Sequence, residues 1–210
     1  MMKITRPLSI LMVLQLLSAC ATHVEVDGSF PEPVSKKIPL SSLVVFDPEF
    51  SHYVFQSIDG RDVSIAVGAT QVELFTLVAN SLFAKTTYTT SRPEQSDTDI
   101  ILAPRIEEVQ ISMPFQTKLN VYEVWIKYNM RVFDHQGQPI ADWIMSAYGK
   151  TPTRFLKSAS DALHQAAIVA LRDAGAHFII GFAQVPEINA WLNLRARQVS
   201  KISRQQQVGS

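Results

Sequence analysis

Val121-Tyr122-Glu123-Val124-Trp125-Ile126-Lys127-Tyr128-Asn129-Met130-Arg131-Val132-Phe133 is the stretch on which the fold turns. Tyr122, Val124, Ile126, Tyr128, Met130 and Val132 fall on one side of an extended chain. Glu123, Lys127, Asn129 and Arg131 fall on the other, together with Trp125 and Phe133. Strict alternation over this length means one buried and one wet face, as in an antiparallel sheet. Asp134 leads into His135-Gln136-Gly137-Gln138, whose residue types make a hairpin turn, and residues 140–148 return as the partner strand with Trp143 and Met145 on one face.

Working outward, residues 99–111 read as a third strand through Ile100, Leu102, Ile106, Val109 and Ile111. Pro104 inside it calls for an edge or a bulge, because proline has no N–H for the ladder. Residues 86–90 suit an edge strand, residues 43–46 a short buried strand, and residues 52–55 and 62–67 a hairpin about Asp59-Gly60. Residues 68–84 carry a wide apolar stripe at helical spacing, with Thr70 and Glu73 placed as a capping box. A second long helix starts at Ser158, where Ser158 and Asp161 fit a helix start, and runs through an alanine-rich stretch. Gly175 marks a bend or an early stop in it. Pro186 opens a last helix with Ile188, Trp191 and Leu192 on its apolar side. The expected architecture is therefore α+β: an antiparallel sheet of four to five strands, two long helices packed on one face, and a C-terminal helix.

The chain begins with Lys3 and Arg6, continues with an apolar run over residues 8–17, and reaches Leu17, Ser18, Ala19 and Cys20, the only cysteine. A charged start, a short apolar run and small residues make a secretory signal, too short for the ~20 apolar residues of a membrane span. Leu17-Ser18-Ala19-Cys20 resembles a bacterial lipobox. That resemblance implies cleavage before Cys20 and acylation of Cys20, with Ala21 in keeping with sorting to the outer membrane. An ordinary cleaved signal, or a short anchor with a chance cysteine, is the alternative. The organisation expected is a cleaved signal over 1–19, a lipidated cysteine and proline-bearing tether over 20–40, an α+β domain over 41–184, and a basic helix and frayed tail over 185–210.

Composition narrows the function. The 210 residues carry 19 Lys and Arg against 19 Asp and Glu, a net charge of zero, which argues against a nucleic-acid partner. The excess of base is local: Arg195, Arg197, Lys201 and Arg204 face a single acid, Glu187, in the tail, which suits anionic head groups or an acidic partner as well as a plain solvated face. A lone cysteine forms no intrachain disulfide. His164 and His177 are thirteen positions apart on one helix and point to different faces, so they share no metal, and the five histidines read as solvated surface groups. Asp97 and Asp99 read as a solvated turn. No nucleophile elbow, Walker loop or dinucleotide fingerprint is present. The expectation is a protein without catalytic residues, metal or cofactor. Trp125 and Phe133, on the wet side of the long strand, are the candidate partner surface.

The lipobox, the helix over 68–83, the hairpin over 121–148 about Asp134 and Gly137, and the helix over 159–174 together resemble small Gram-negative envelope lipoproteins. These include ABC-transport auxiliary lipoproteins and lipoprotein activators of peptidoglycan synthases, with domains similar to the TolB N-terminal fold. That resemblance implies an outer-membrane lipoprotein facing the periplasm and acting as a non-catalytic adaptor or regulator of an envelope transport or assembly complex through a protein partner. The alternative is a carrier of lipid or a small apolar ligand, held between the sheet and the helix over 68–84.

Overall fold

Two sheets share one core. The computed structural model describes residues 22–57, 63–116, 119–153 and 158–208, with the backbone alone over 202–208. The larger sheet has strand order β5-β2-β6-β7-β8, with β2 Ile38–Val45, β5 Phe83–Thr89, β6 Ile100–Ser112, β7 Val121–Asp134 and β8 Pro139–Pro152. The smaller has the order β1-β4-β3, with β1 Thr22–Glu25, β3 Val54–Gln56 and β4 Val63–Ala66. Four α-helices accompany them among the described residues: the single turn α1 Pro48–Ser51, α2 Gly68–Leu82, α3 Ala159–Gly181 and α4 Pro186–Val208.

The larger sheet departs from the expected antiparallel form. β6, β7 and β8 are antiparallel, but β2 lies parallel to both β5 and β6. β2 is buried on both faces: Val44 is in the main core, while Val45 joins Ile101 and Ala103 in a small cluster on the opposite face. A strand covered on both sides reads as a continuous apolar run, which is what Leu43-Val44-Val45-Phe46 is. β2 pairs with β6 only from Ile100 to Leu102. Pro104 follows, where β2 no longer lies beside β6, so its missing N–H breaks no pairing with that neighbour. The β6–β7 ladder also shifts register between Ile106 and Glu108.

The long alternation of β7 is laid out as its residues dictate: Val124, Ile126, Tyr128, Met130 and Val132 are at most 1% exposed. Asp134 holds the hairpin, its Oδ1 accepting from the N–H groups of Gln136 (2.8 Å) and Gln138 (2.9 Å). Gly137 sits at φ +75°, a conformation that glycine reaches without strain.

α2 and α3 cover one face of the sheet. The α2 start differs from the expected capping box. Val67 occupies the N-cap without a side-chain bond, and the Thr70 hydroxyl, buried, donates to the Val26 carbonyl. α3 is capped as expected, Ser158 Oγ accepting from the Asp161 N–H at 3.1 Å. It also runs without a break through Gly175, because the glycine serves packing: a Cβ there would lie 2.9 Å from Leu74 on α2. Although α3 with the turn after it is long and apolar enough to cross a membrane, half of that stretch is buried inside the protein. Ala162, Ala166, Ala167, Ala170 and Ala174 are at most 1% exposed. This alanine face brings α3 so close to β8 that a Cβ on Gly149 would stand 2.0 Å from the Ala166 carbonyl oxygen.

The segment expected to be a tether is built into the body. β1 begins at Thr22 and pairs in parallel with β4, Thr22 opposite Val63 and Glu25 opposite Ala66. Val24, Val26 and Phe30 are buried. Further on, Ser81 Oγ donates to the Pro33 carbonyl (2.6 Å) and Ser35 Oγ to the Ser81 carbonyl (2.8 Å). Three apolar side chains with a place in the core outweigh the irregularity that the prolines impose.

Candidate functional site

The strands give the molecule two ends. At one end, β1 begins beside Val63, β6 finishes at Ser112, β7 starts at Val121 and β8 finishes at Pro152. At the other are the β7–β8 turn, the start of β6 and the beginnings of β2 and β5. The 14 residues of β7 separate these ends by about 45 Å.

At the first end an open cavity of about 500 Å³ lies between the small sheet and the end of β6. Phe55, Ser57 and Val63 line it from the small sheet, and Val109, Ile111, Met113 and Phe115 from β6 and the loop after it. Two large apolar side chains of that loop are largely exposed: Phe115 is 56% and Leu119 68% exposed. The loop is held by an exchange between Met113 and Gln116, whose backbone N–H meets the Met113 carbonyl (2.9 Å) while its side-chain oxygen accepts from the Met113 N–H (2.7 Å). Leu17, Ser18, Ala19 and Cys20 lie outside the described residues. The first described residue, Thr22, is two positions after Cys20.

At the second end α4 leaves the body. Ile188 is buried, and Trp191 and Leu192 pack against the core. Arg195 is not free for an outside contact: it is ion-paired with Asp99, and its guanidinium lies 5.5 Å from the centre of the Trp191 ring. Asp99 is correspondingly no solvated turn. Its Oδ2 accepts from the Ser41 N–H (2.7 Å) and hydroxyl (2.9 Å). Burial alone would raise the Asp99 pKa, but the Ser41 donors and the Arg195 charge more than reverse this and hold it below its ordinary value. Beyond Arg195 the described side chains are exposed, Arg197 and Lys201 among them. Arg204 is on the same helix backbone.

The face of the sheet away from the helices separates the two aromatic candidates. Trp125 is 43% exposed and packs against Tyr148 with ring centres 4.0 Å apart and the planes tilted by 35°. Tyr148 donates from its hydroxyl to Glu123 (2.5 Å), and desolvation together with that carboxylate pushes its pKa up to about 12. Phe133 is not presented to a partner. It packs into the small cluster with Val45, Ile101 and Ala103, and the Arg92 guanidinium covers its ring at 4.5 Å.

Histidines expected to be solvated carry structural bonds, His23 Nδ1 meeting Ser64 Oγ at 2.6 Å across β1 and β4. His164 Nε2 meets the Asp27 carboxylate at 2.9 Å and so ties α3 to the segment after β1. His177 Nδ1 meets the Ser146 carbonyl at 2.9 Å, and the Tyr148 N–H donates to Asp173 at 2.9 Å. Asp173 and His177, one helical turn apart on α3, thereby occupy backbone groups along the outer edge of β8 that would otherwise invite another strand. Among the described residues, no group of three or more His, Cys, Asp or Glu side chains is arranged to hold a metal ion.

The space between α2 and the sheet, where the alternative reading put a carried ligand, is filled. Phe75 packs edge-on against Tyr128 (5.3 Å between ring centres) and Phe178 (5.9 Å). Leu74, Val78, Ala79 and Leu82 are at most 4% exposed. A polar chain threads this core unnoticed by the periodicity of the sequence. Tyr128 donates to Gln71 Oε1 at 3.2 Å, and Gln71 Nε2 donates to the Phe50 carbonyl at 2.5 Å. Burial raises the Tyr128 pKa far above its ordinary value, so the phenol stays a donor.

No family model matches the chain, and no curated protein matches it in sequence. Solved structures resemble it in part. A Xanthomonas campestris protein described under the family model DUF330 aligns over 86% of this chain and 96% of its own, at 11% identity and a TM-score of 0.48. A minor lipoprotein from Acinetobacter baumannii aligns over 75% of this chain and 96% of its own, at 13% identity and a TM-score of 0.37. A lipoprotein from Neisseria meningitidis aligns over 62% of this chain and 96% of its own, at 16% identity and a TM-score of 0.30.

Proposed function

We propose that this protein is a lipid-anchored, non-catalytic accessory of an envelope complex, held in the outer membrane by acylated Cys20 with its body in the periplasm. The observation that supports this reading most is the position of β1. A lipid on Cys20 sits at one end of the sheet, and α4, the C-terminal long helix among the described residues, is tied by Arg195 to the other. A protein so arranged spans the distance from a membrane face to a partner about 45 Å away, the length of β7. Arg197 and Lys201 make the exposed part of α4 suited to an acidic protein surface. Two or more acyl chains give the stable anchoring such a role needs, where one gives only reversible binding.

Cys20→Ala tests the anchor. The substituted chain is expected to appear folded in the soluble periplasmic fraction. The unsubstituted chain is expected to stay with outer-membrane vesicles and to carry the diacylglyceryl mass on its Cys20 peptide. An unmodified Cys20 thiol in the mature protein would sink the reading. For the accessory role, chemical cross-linking of the lipidated protein in membranes is expected to yield a protein adduct that is lost when the chain is cut after Leu194. A cross-linking pattern unchanged by that cut would remove α4 from the role.

A further inference from the structure

The geometry points to a second membrane contact made by the protein itself: the rim formed by Met113, Phe115 and Leu119 lies in the lipid interface beside the Cys20 anchor. This rests on the lipid-anchored reading above and goes further by specifying which surface meets the bilayer. Two residue steps separate Cys20 from Thr22, and an extended chain gains at most ~3.6 Å per residue, so the Cys20 Cα stays within about 7 Å of the start of β1. Thr22 is paired with Val63, and paired strands run about 4.8 Å apart. Val63 lines the same cavity as Met113 and Phe115. The lipid therefore enters the membrane within about 7 Å of the edge of this cavity, with little slack to lift the body away.

What faces the bilayer at that point has the chemistry of an interfacial surface. Phe115 and Leu119, 56% and 68% exposed, supply apolar side chains that reach beyond the backbone. Behind them the cavity carries polar groups from Gln110, Ser112 and Gln116 alongside Ile111 and Met113. Amphipathic surfaces of this kind bury their apolar side ~5–10 Å into the boundary between head groups and acyl chains and leave their polar atoms at head-group level. Scattered exposed apolar residues are ordinary on protein surfaces. These two differ because the chain's own covalent connection brings them to a bilayer.

The test uses the full, lipidated protein in vesicles of phosphatidylethanolamine and phosphatidylglycerol. Acylation consumes the Cys20 thiol, so Phe115→Cys or Leu119→Cys introduces a single reactive thiol for an environment-sensitive fluorophore. Gln136→Cys, in the exposed hairpin turn at the far end, is the control. Labels at 115 and 119 are expected to shift to the blue and to lose most of their emission to lipid-borne quenchers, while the label at 136 keeps its aqueous spectrum. If the labels at 115 and 119 remain as water-exposed as the label at 136 while the protein is vesicle-bound, the rim is not at the interface and the inference falls. A failure of the anchor reading shows separately: thiol labelling at Cys20 itself in the unsubstituted mature protein, and no vesicle binding.

Discussion

Tyr128 and Gln71 show how much of this core rests on a few polar atoms. Tyr128 is fully buried, and its hydroxyl satisfies Gln71, which in turn satisfies the Phe50 carbonyl on α1. Tyr128→Phe leaves the Gln71 side-chain oxygen buried without its donor. We expect a loss of about 1–2 kcal/mol in urea unfolding, with the slope of the transition unchanged. Gln71→Ala strands both the phenol and the carbonyl and should be the more damaging of the two. The apolar side of β7 was legible from the sequence because its period of two leaves no alternative register. Gln71 was not. It sits in the polar positions of α2 by type, and only the arrival of Tyr128 and α1 from distant parts of the chain makes it an interior residue. Asp99 and His177 escaped for the same reason: each looks like a surface group until a partner far away in sequence is in place.

Among the elements, a pairing with the next segment was readable, and a pairing with a distant one was not, even where the element itself was. The β7–β8 hairpin and the Ser158 cap follow from local turn and capping chemistry. The parallel placement of β2 between β5 and β6 depends on a crossover through α1, β3, β4 and α2 that no local pattern encodes. β1 is four residues long and polar at three of them, so its strand character comes from β4 and the core beneath Val24. α4 was foreseen as a helix, but its tie to the sheet was not. The Asp99–Arg195 pair gives that tie a pH dependence with a definite sign. A carboxyl whose folded pKa is depressed contributes stability above its unfolded pKa and loses that contribution as the pH falls through the folded value. The unfolded reference here is 3.8. Hydrogen exchange should therefore find the first turns of α4 protected at neutral pH and opening below about pH 4, ahead of the sheet. Asp99→Asn should lower that protection at neutral pH and remove its acid dependence. Protection in α4 that is indifferent to both would show that Ile188, Trp191 and Leu192 hold the helix unaided.

For the molecule as a whole, the decisive relation is between the first described strand and the long axis of the sheet. It puts Thr22, and with it the proposed anchor, at the end of Phe115 and Leu119, and Asp99, the hairpin turn and the Arg195 turn of α4 at the other. Inserting about ten glycine and serine residues between Ala21 and Thr22 adds roughly 17 Å of flexible reach without touching the fold. The lengthened protein should remain vesicle-bound and equally stable, while a label introduced by Phe115→Cys loses part of its quenching. Unaltered quenching would mean that the rim holds to the bilayer by its own affinity, independent of the short connection.

That connection also governs how such a molecule meets others. Anchored through a slack leash, a domain tumbles, and a binding patch points toward its target only for a fraction of the time. If Cys20 is acylated as proposed, β1 clamped into the body two residues past the lipid restricts how far the body rises and tilts. The far helix then patrols a thin layer at nearly constant height, and every lateral encounter with a partner at that height is already oriented. The effective concentration of α4 in that layer is raised without a single added contact. A four-residue strand with one buried side chain would thereby narrow the orientations open to a body that the proposed lipid already confines to the membrane plane.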